Sequence, residues 1–237
     1  KTTSEFQETV QAQQKLKYYF EILKKVEHPR VMKALGLVKH DNKLTLALSK
    51  ENEKKLSSYL QNNTFNIDVF FSIALALAET VKFIHDKKVI HKCINPKNII
   101  LEDGPEKILL KGFHVAEEFS REPQQPNTKE ALEATDLLYV SPEQTGRMNT
   151  TMDYRTDFYS LRLLDKNAEN MYQSAHGLLF DLKKCHDNLV SNNLNDEFVI
   201  GSHDIGNWFK IPNKIYGREL EIATLTELFG KTFKGNS

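Results

Sequence analysis

Cysteine is nearly absent from this chain: there are two in 237 residues, Cys93 and Cys185. Two cysteines give no disulfide framework, and a reducing compartment such as the cytoplasm fits. An excess of charge of one sign is also missing, with 32 basic against 32 acidic residues. That balance excludes a general electrostatic attraction to nucleic acid or acidic membranes. No apolar run reaches the roughly 18 residues of a membrane span. The opening stretch, KTTSEFQETV, has no signal-peptide pattern, and a start on Lys1 without Met suggests a fragment of something longer. There is no internal repeat. What remains is ordinary for a globular protein, 40% hydrophobic and 27% charged, at a length that allows one or two domains.

Helical spacing opens the chain. Residues 5–26 gather apolar positions at Leu16, Tyr19, Phe20, Leu23 and Val26, the i, i+3, i+4 pattern of an amphipathic helix, and His28-Pro29 stops it. VMKALGLVKHDNKLTLAL reads as two strands around the turn HDNK, followed by a polar linker, SKENEKK. Ile67 to His85 is too apolar for a surface helix. KILLKGF reads as a short buried strand, and the proline-bearing stretch from REPQQP to SPE as a loop. Thr156 to Asn188 is helical in pattern, Leu189 to Asn207 reads as a linker, and Arg218 to Phe229 as a final amphipathic helix.

Four segments fall in a telling order. FIHDKKVIHKCINPKNII resembles the end of a long helix and the catalytic loop of protein kinases, with His91 and Asn98 at the right spacing. LLKGFHVA resembles the strand and D-F-G metal motif, YVSPEQ the A-P-E motif, and DYRTDFYSL the start of the buried helix that follows. Further stretches, YVSPEQTGRMN, NMYQSAHGL and GSHDIGNWFKIPNKIYGRELE, are similar to one group: large fungal and cyanobacterial sensor proteins. These carry an N-terminal kinase-like domain, an AAA-type ATPase, GAF, histidine-kinase and receiver domains. The resemblance implies an α+β, two-lobed kinase-like fold, with an incomplete N-lobe over 1–60 and a mainly helical C-lobe over 61–190. It implies that 191–237 is a linker and the start of the ATPase domain. Helices expected after Leu161 are missing from the text, whether deleted or belonging to residues left out of it.

The positions that carry kinase chemistry are altered. Phosphoryl transfer is positioning plus charge neutralisation, so each part has a physical task. Cys93 stands where the loop Asp would accept the substrate proton, and a neutral thiol does that poorly. The D-F-G triplet reads Gly112-Phe113-His114, without the metal-binding carboxylate. Counting back from Ile22-Leu23, the helix Glu that pairs with the strand Lys falls on Tyr19. Glu21 is two residues on and points elsewhere. Lys1 is the candidate for that strand Lys, Asn98 for a remaining metal or nucleotide contact, and Asn95 stands at the loop Lys position. A single neutral amide is a poor substitute for the carboxylate and phosphate oxygens that Mg²⁺ prefers. His91, Glu143 and Asp157 read as architectural: His91 packs under the loop, and Asp157 caps loop amides. The Arg position that pairs with Glu143 holds Met171.

The implied function is a catalytically impaired regulatory module of a hybrid histidine kinase in phosphorelay signalling. Its partners would be the ATPase and histidine-kinase parts of the same chain and other signalling proteins. No metal is assigned and no cofactor is implied outright; whether ATP binds stays open, and any binding would be weak or independent of magnesium. The parent would be a phosphotransferase, and a homodimer by analogy with histidine kinases. Two other readings stay open: an active, atypical Ser/Thr kinase using Asn98, Lys1 and a non-standard base, and a purely structural interaction domain. Cys93 reads either as a redox thiol or as a small side chain filling the Asp site. His91, Cys93 and His114 lack zinc spacing. Thr128, Thr135 and Ser141 read either as phosphosites or as parts of a solvated loop.

Overall fold

Asn66 starts the central helix. Its side chain accepts a hydrogen bond from the Val69 amide at 2.8 Å, which satisfies one of the orphan donors of a first helical turn. Helix α3 (Ile67–Asp86) then buries Phe71, Ile73, Ala76, Leu77, Ala78, Val81 and Ile84. In the computed structural model the described residues are 3–40, 43–49, 54–62, 66–102, 104, 107–119, 138–145, 152–161, 172–193 and 198–204. Lys1, Met171 and the segment 205–237 lie outside them, as do Thr128 and Thr135. Among the described residues no helix is long and apolar enough to cross a membrane.

Helix α1 (Thr3–Lys25) precedes a hairpin of β1 (Ala34–His40) and β2 (Lys43–Leu48), paired antiparallel with Leu37 opposite Leu46 and Val38 opposite Thr45. Ile22, Leu23 and Val26 bring the end of α1 into the core. A short helix α2 (Leu56–Asn62) anchors on Leu56, and Lys55 forms a bridge with Ile100. Two small antiparallel sheets follow α3: β3 (Val89–Ile90) with β6 (Glu117–Glu118), and β4 (Ile99–Leu101) with β5 (Ile108–Leu110). All six residues of β4 and β5 are buried, so these strands are apolar on both faces and do not alternate.

Helices α4 (Arg155–Ser160) and α5 (Ala175–Val190) complete the described elements. Phe158 of α4 joins the buried cluster formed by α1, α3 and the short strands. α5 packs on α3, with the Phe71 and His186 rings 5.2 Å apart. The result is a mixed helix and strand fold with three two-stranded sheets among the described residues. Its core places the loop after β3 between α4 and the turn after β5.

Candidate functional site

The loop from His91 to Asn98 is organised around one buried carboxylate. Asp157, fully buried at the start of α4, accepts the Lys92 amide on Oδ1 at 2.7 Å and the His91 amide on Oδ2 at 2.9 Å. His85, on the last turn of α3, donates from Nε2 to the same Oδ2 at 2.9 Å. Burial alone would raise the Asp157 carboxyl, but the His85 bond, the nearby His91 and the loop amides together hold it below the ordinary carboxylate range.

His91 is equally buried and has no charge to offer. Its Nδ1 accepts from the Cys93 amide at 3.2 Å, which leaves Nε2–H to donate to the Lys111 carbonyl at 3.1 Å. The ring meets Phe113 edge-on at 4.3 Å. Burial lowers its pKa to about 4, against the opposing pull of Asp157. The imidazole is a neutral strut between the loop and the turn after β5.

Lys92 sits in the left-handed region, with φ 66°, a conformation that costs a non-glycine residue about 1–2 kcal/mol. Three bonds hold it there: its amide to Asp157, its carbonyl from Gln144 Nε2 at 2.8 Å, and its Nζ to Glu117 at 2.9 Å. Glu117 and Glu118 are neighbours on β6, so their side chains leave on opposite faces. Glu118 pairs with Lys25 of α1 at 2.8 Å, and its amide donates to the Tyr18 hydroxyl at 3.0 Å. Thus β6 ties α1 on one side and the loop on the other. Tyr19 is half-buried against the apolar core, and Glu21 is exposed.

At the positions of the reacting groups the side chains face one another. Asn98 donates from Nδ2 to the Cys93 carbonyl at 2.8 Å and lies 3.2 Å from the Cys93 sulfur. Asn95 Nδ2 is 3.7 Å from the same sulfur, and Asn95 Oδ1 accepts the Lys97 and Asn98 amides at 3.0 and 3.1 Å. Gly112 has φ 95°, and a Cβ placed on it would overlap the Asn98 amide, 2.7 Å from its Cγ. His114 follows in the 3-10 turn Phe113–Val115. Among the described residues no group of three His, Cys, Asp or Glu side chains is placed to hold a metal ion.

Glu143 lies in the 3-10 turn Pro142–Thr145, where its Oε1 accepts the Thr156 hydroxyl at 2.7 Å. Ser141 is fully buried, its hydroxyl directed to Gln144 Oε1 at 3.1 Å. Ser160 donates to the Tyr139 carbonyl at 2.8 Å. The structure therefore gathers His91, Cys93, Asn98, Gly112 and Asp157 at one place, and joins Glu143 to α4. Sequence reasoning missed His85, Lys92 as an ion-pair partner, and the Glu117–Glu118 tie. The signal for His85 was its place in FIHD, six residues before His91 on an otherwise apolar face.

Comparison with known proteins places these elements in a family. The family model described as protein kinase domain matches residues 1–165. The chain belongs to the protein kinase domain family. It is 22% identical over 213 residues to the peroxide stress-activated histidine kinase mak3 of Schizosaccharomyces pombe, an alignment covering 67% of this chain and 9% of that protein. It is 29% identical over 108 residues to histidine protein kinase 1 of Candida albicans, covering 44% of this chain and 4% of that protein. An Aurora kinase of Dictyostelium discoideum is 26% identical over 159 residues, covering 66% and 39%. The chain thus spans less than a tenth of the length of the two fungal histidine kinases.

Proposed function

We propose that this is a kinase-like regulatory module that has lost phosphoryl transfer and serves a hybrid histidine kinase in phosphorelay signalling. One observation carries the reading: the Asn98 amide fills the space into which a side chain at position 112 would project, and it is bonded to Cys93. The residues present do not fit a magnesium ion. Holding Mg²⁺ on phosphates takes carboxylate and phosphate oxygens in near-octahedral array. Here there is one neutral amide, a glycine and a thiol. No group in the loop is a competent base either, since His91 is buried, neutral and already bonded at both ring nitrogens.

The module would act by surface rather than by chemistry. A two-lobed arrangement over 1–190, with 191–237 leading into an ATPase domain, suits the resemblance in the sequence. The similarity to two fungal histidine kinases supports a signalling chain as the setting. Its partners would be the neighbouring domains of that chain. The alternatives, an active atypical kinase and a purely structural domain, predict different ligand behaviour.

The test is a thermal-shift titration of the chain with ATP, with and without magnesium, beside an assay of phosphate transfer to a generic acceptor protein. A ligand at 100 times its dissociation constant adds about 2.7 kcal/mol, a visible shift. The expected result is no magnesium-dependent shift and no transfer. A shift that requires magnesium, together with transfer at ordinary kinase rates, would overturn the proposal.

A further inference from the structure

Residues 198–204 lie back along α5, and their hold on it is polar. The Lys184 ammonium stands 5.0 Å from the centre of the Phe198 ring. The Gly201 amide donates to Asp181 Oδ2 at 2.7 Å, an oxygen that also accepts the Tyr172 hydroxyl at 2.7 Å. The His203 ring stacks on Phe180 with centres 3.7 Å apart. Asp204 closes the series at the start of the helix. Its Oδ2 accepts the Gln173 amide, and its Oδ1 accepts the Ser174 amide at 2.8 Å and the Ser174 hydroxyl at 2.7 Å. Ser174 in turn caps α5 by accepting the Gly177 amide at 3.1 Å.

Two features give this arrangement its character. First, the fit is close: a Cβ on Gly177 would stand 2.6 Å from the Asp204 Cα, so only glycine lets the segment reach the helix start. A carboxylate is favoured there by the unpaired amides and the helix dipole. Second, apolar burial contributes little. Val199 and Ile200 are 75% and 72% exposed. Segments held by few buried apolar contacts open at lower free energy than the core they rest on.

We propose that residues 198–204 form a clasp, latched by Asp204 on the start of α5, that opens as a unit separate from the kinase-like core. Closed, it fixes the point at which the chain passes on to residue 205. Open, it frees that point while α3, α4 and the loop at 91–98 stay folded. The proposal stands whether or not the module binds nucleotide.

The experiment is amide hydrogen exchange on the whole chain, comparing the wild type with Asp204→Ala and Gly177→Ala. The second variant keeps the carboxylate and pushes it away. In both, exchange at Gly201, Gln173 and Ser174 should accelerate tenfold or more, with the amides of Val81, Ile84 and His91 changed less than twofold. Unchanged exchange at Gly201 and Ser174 in Asp204→Ala would overturn the clasp. So would equal acceleration throughout the core, or failure of both variants to fold, because the segment would then be part of the core.

Discussion

Asn98 and Gly112 share one volume: the space a Cβ at position 112 would need is occupied by the Asn98 amide, whose Cγ would lie 2.7 Å from it. Gly112 also holds φ 95°, a region that side-chain-bearing residues seldom adopt. Replacing it with the metal-binding acid therefore meets two obstacles at once, backbone strain and overlap. Gly112→Asp should lower stability by about 2–3 kcal/mol and should not confer magnesium-dependent ATP binding. Urea denaturation checks the loss of stability and a thermal shift with ATP and magnesium checks the binding. An unchanged urea midpoint would refute the strain and overlap, and a gain of magnesium-dependent binding would refute the second half.

Asp157 supports two loop amides and His85 from full burial. Removing one partner of such a network leaves desolvated donors without acceptors. Asp157→Ala should cost about 3–5 kcal/mol, the range for breaking a buried charged contact. Asp157→Asn keeps the shape and one acceptor but turns an amide donor towards other donors, and should cost less. Denaturant melts of the two variants should fall in that order, and equal midpoints for Ala and wild type would refute the anchoring role.

Lys92 and Glu117 make the other tie, with side chains 8% and 28% exposed. Glu117→Gln leaves a mostly buried ammonium beside a neutral amide, and should cost about 1–3 kcal/mol, discounted from the fully buried case because Glu117 still meets water. The Arg30–Glu79 pair has a similar length, 2.8 Å, but its side chains are 34% and 38% exposed. Glu79→Ala should cost under about 1 kcal/mol. Double-mutant cycles for both pairs give the comparison, and a larger coupling at Arg30–Glu79 would reverse the ranking.

Much of the fold was legible because periodicity reports burial. α3 announced itself by a run of apolar residues too dense for a surface helix, and the β1–β2 hairpin by alternation on either side of a polar turn. α2 did not: LSSYLQN is mostly polar, and it is held by one buried leucine and by backbone pairing of Lys55 with Ile100. Such a helix is a product of tertiary packing rather than propensity. In the site, the resemblance of the ordered motifs to those of protein kinases picked out His91, Cys93, Asn98, Gly112 and Asp157 one by one. It could not show that Asn98 turns into the space beside Gly112, since that depends on two segments meeting. Lys92 with Glu117 was hidden for the same reason. Residues 198–204 fall in the stretch Leu189 to Asn207, which read as linker because it is rich in Asn, Asp and Ser, yet polar groups such as Asp204 are what a helix start binds.

The burial of His91 sets an acid limit on the fold. Its pKa falls from the ordinary 6.5 to about 4, mainly because burial disfavours the imidazolium. The unfolded chain therefore binds a proton between pH 6.5 and 4 that the folded chain refuses. Stability must rise with pH through that window and be lost as pH falls through it. A shift of this size corresponds to on the order of 3 kcal/mol by pH 4. Asp157 acts further down: its folded pKa is depressed, so its contribution is present above the ordinary Asp value and disappears below it. His91→Gln removes the titrating ring and keeps an amide able to donate to the Lys111 carbonyl. Urea unfolding at pH 7.5, 5.5 and 4.5 should show wild-type stability falling steeply across the series. The variant should be weaker at pH 7.5 but flatter across the series. Parallel slopes for the two proteins would mean that His91 is protonated in the fold, and the neutral strut would have to be abandoned.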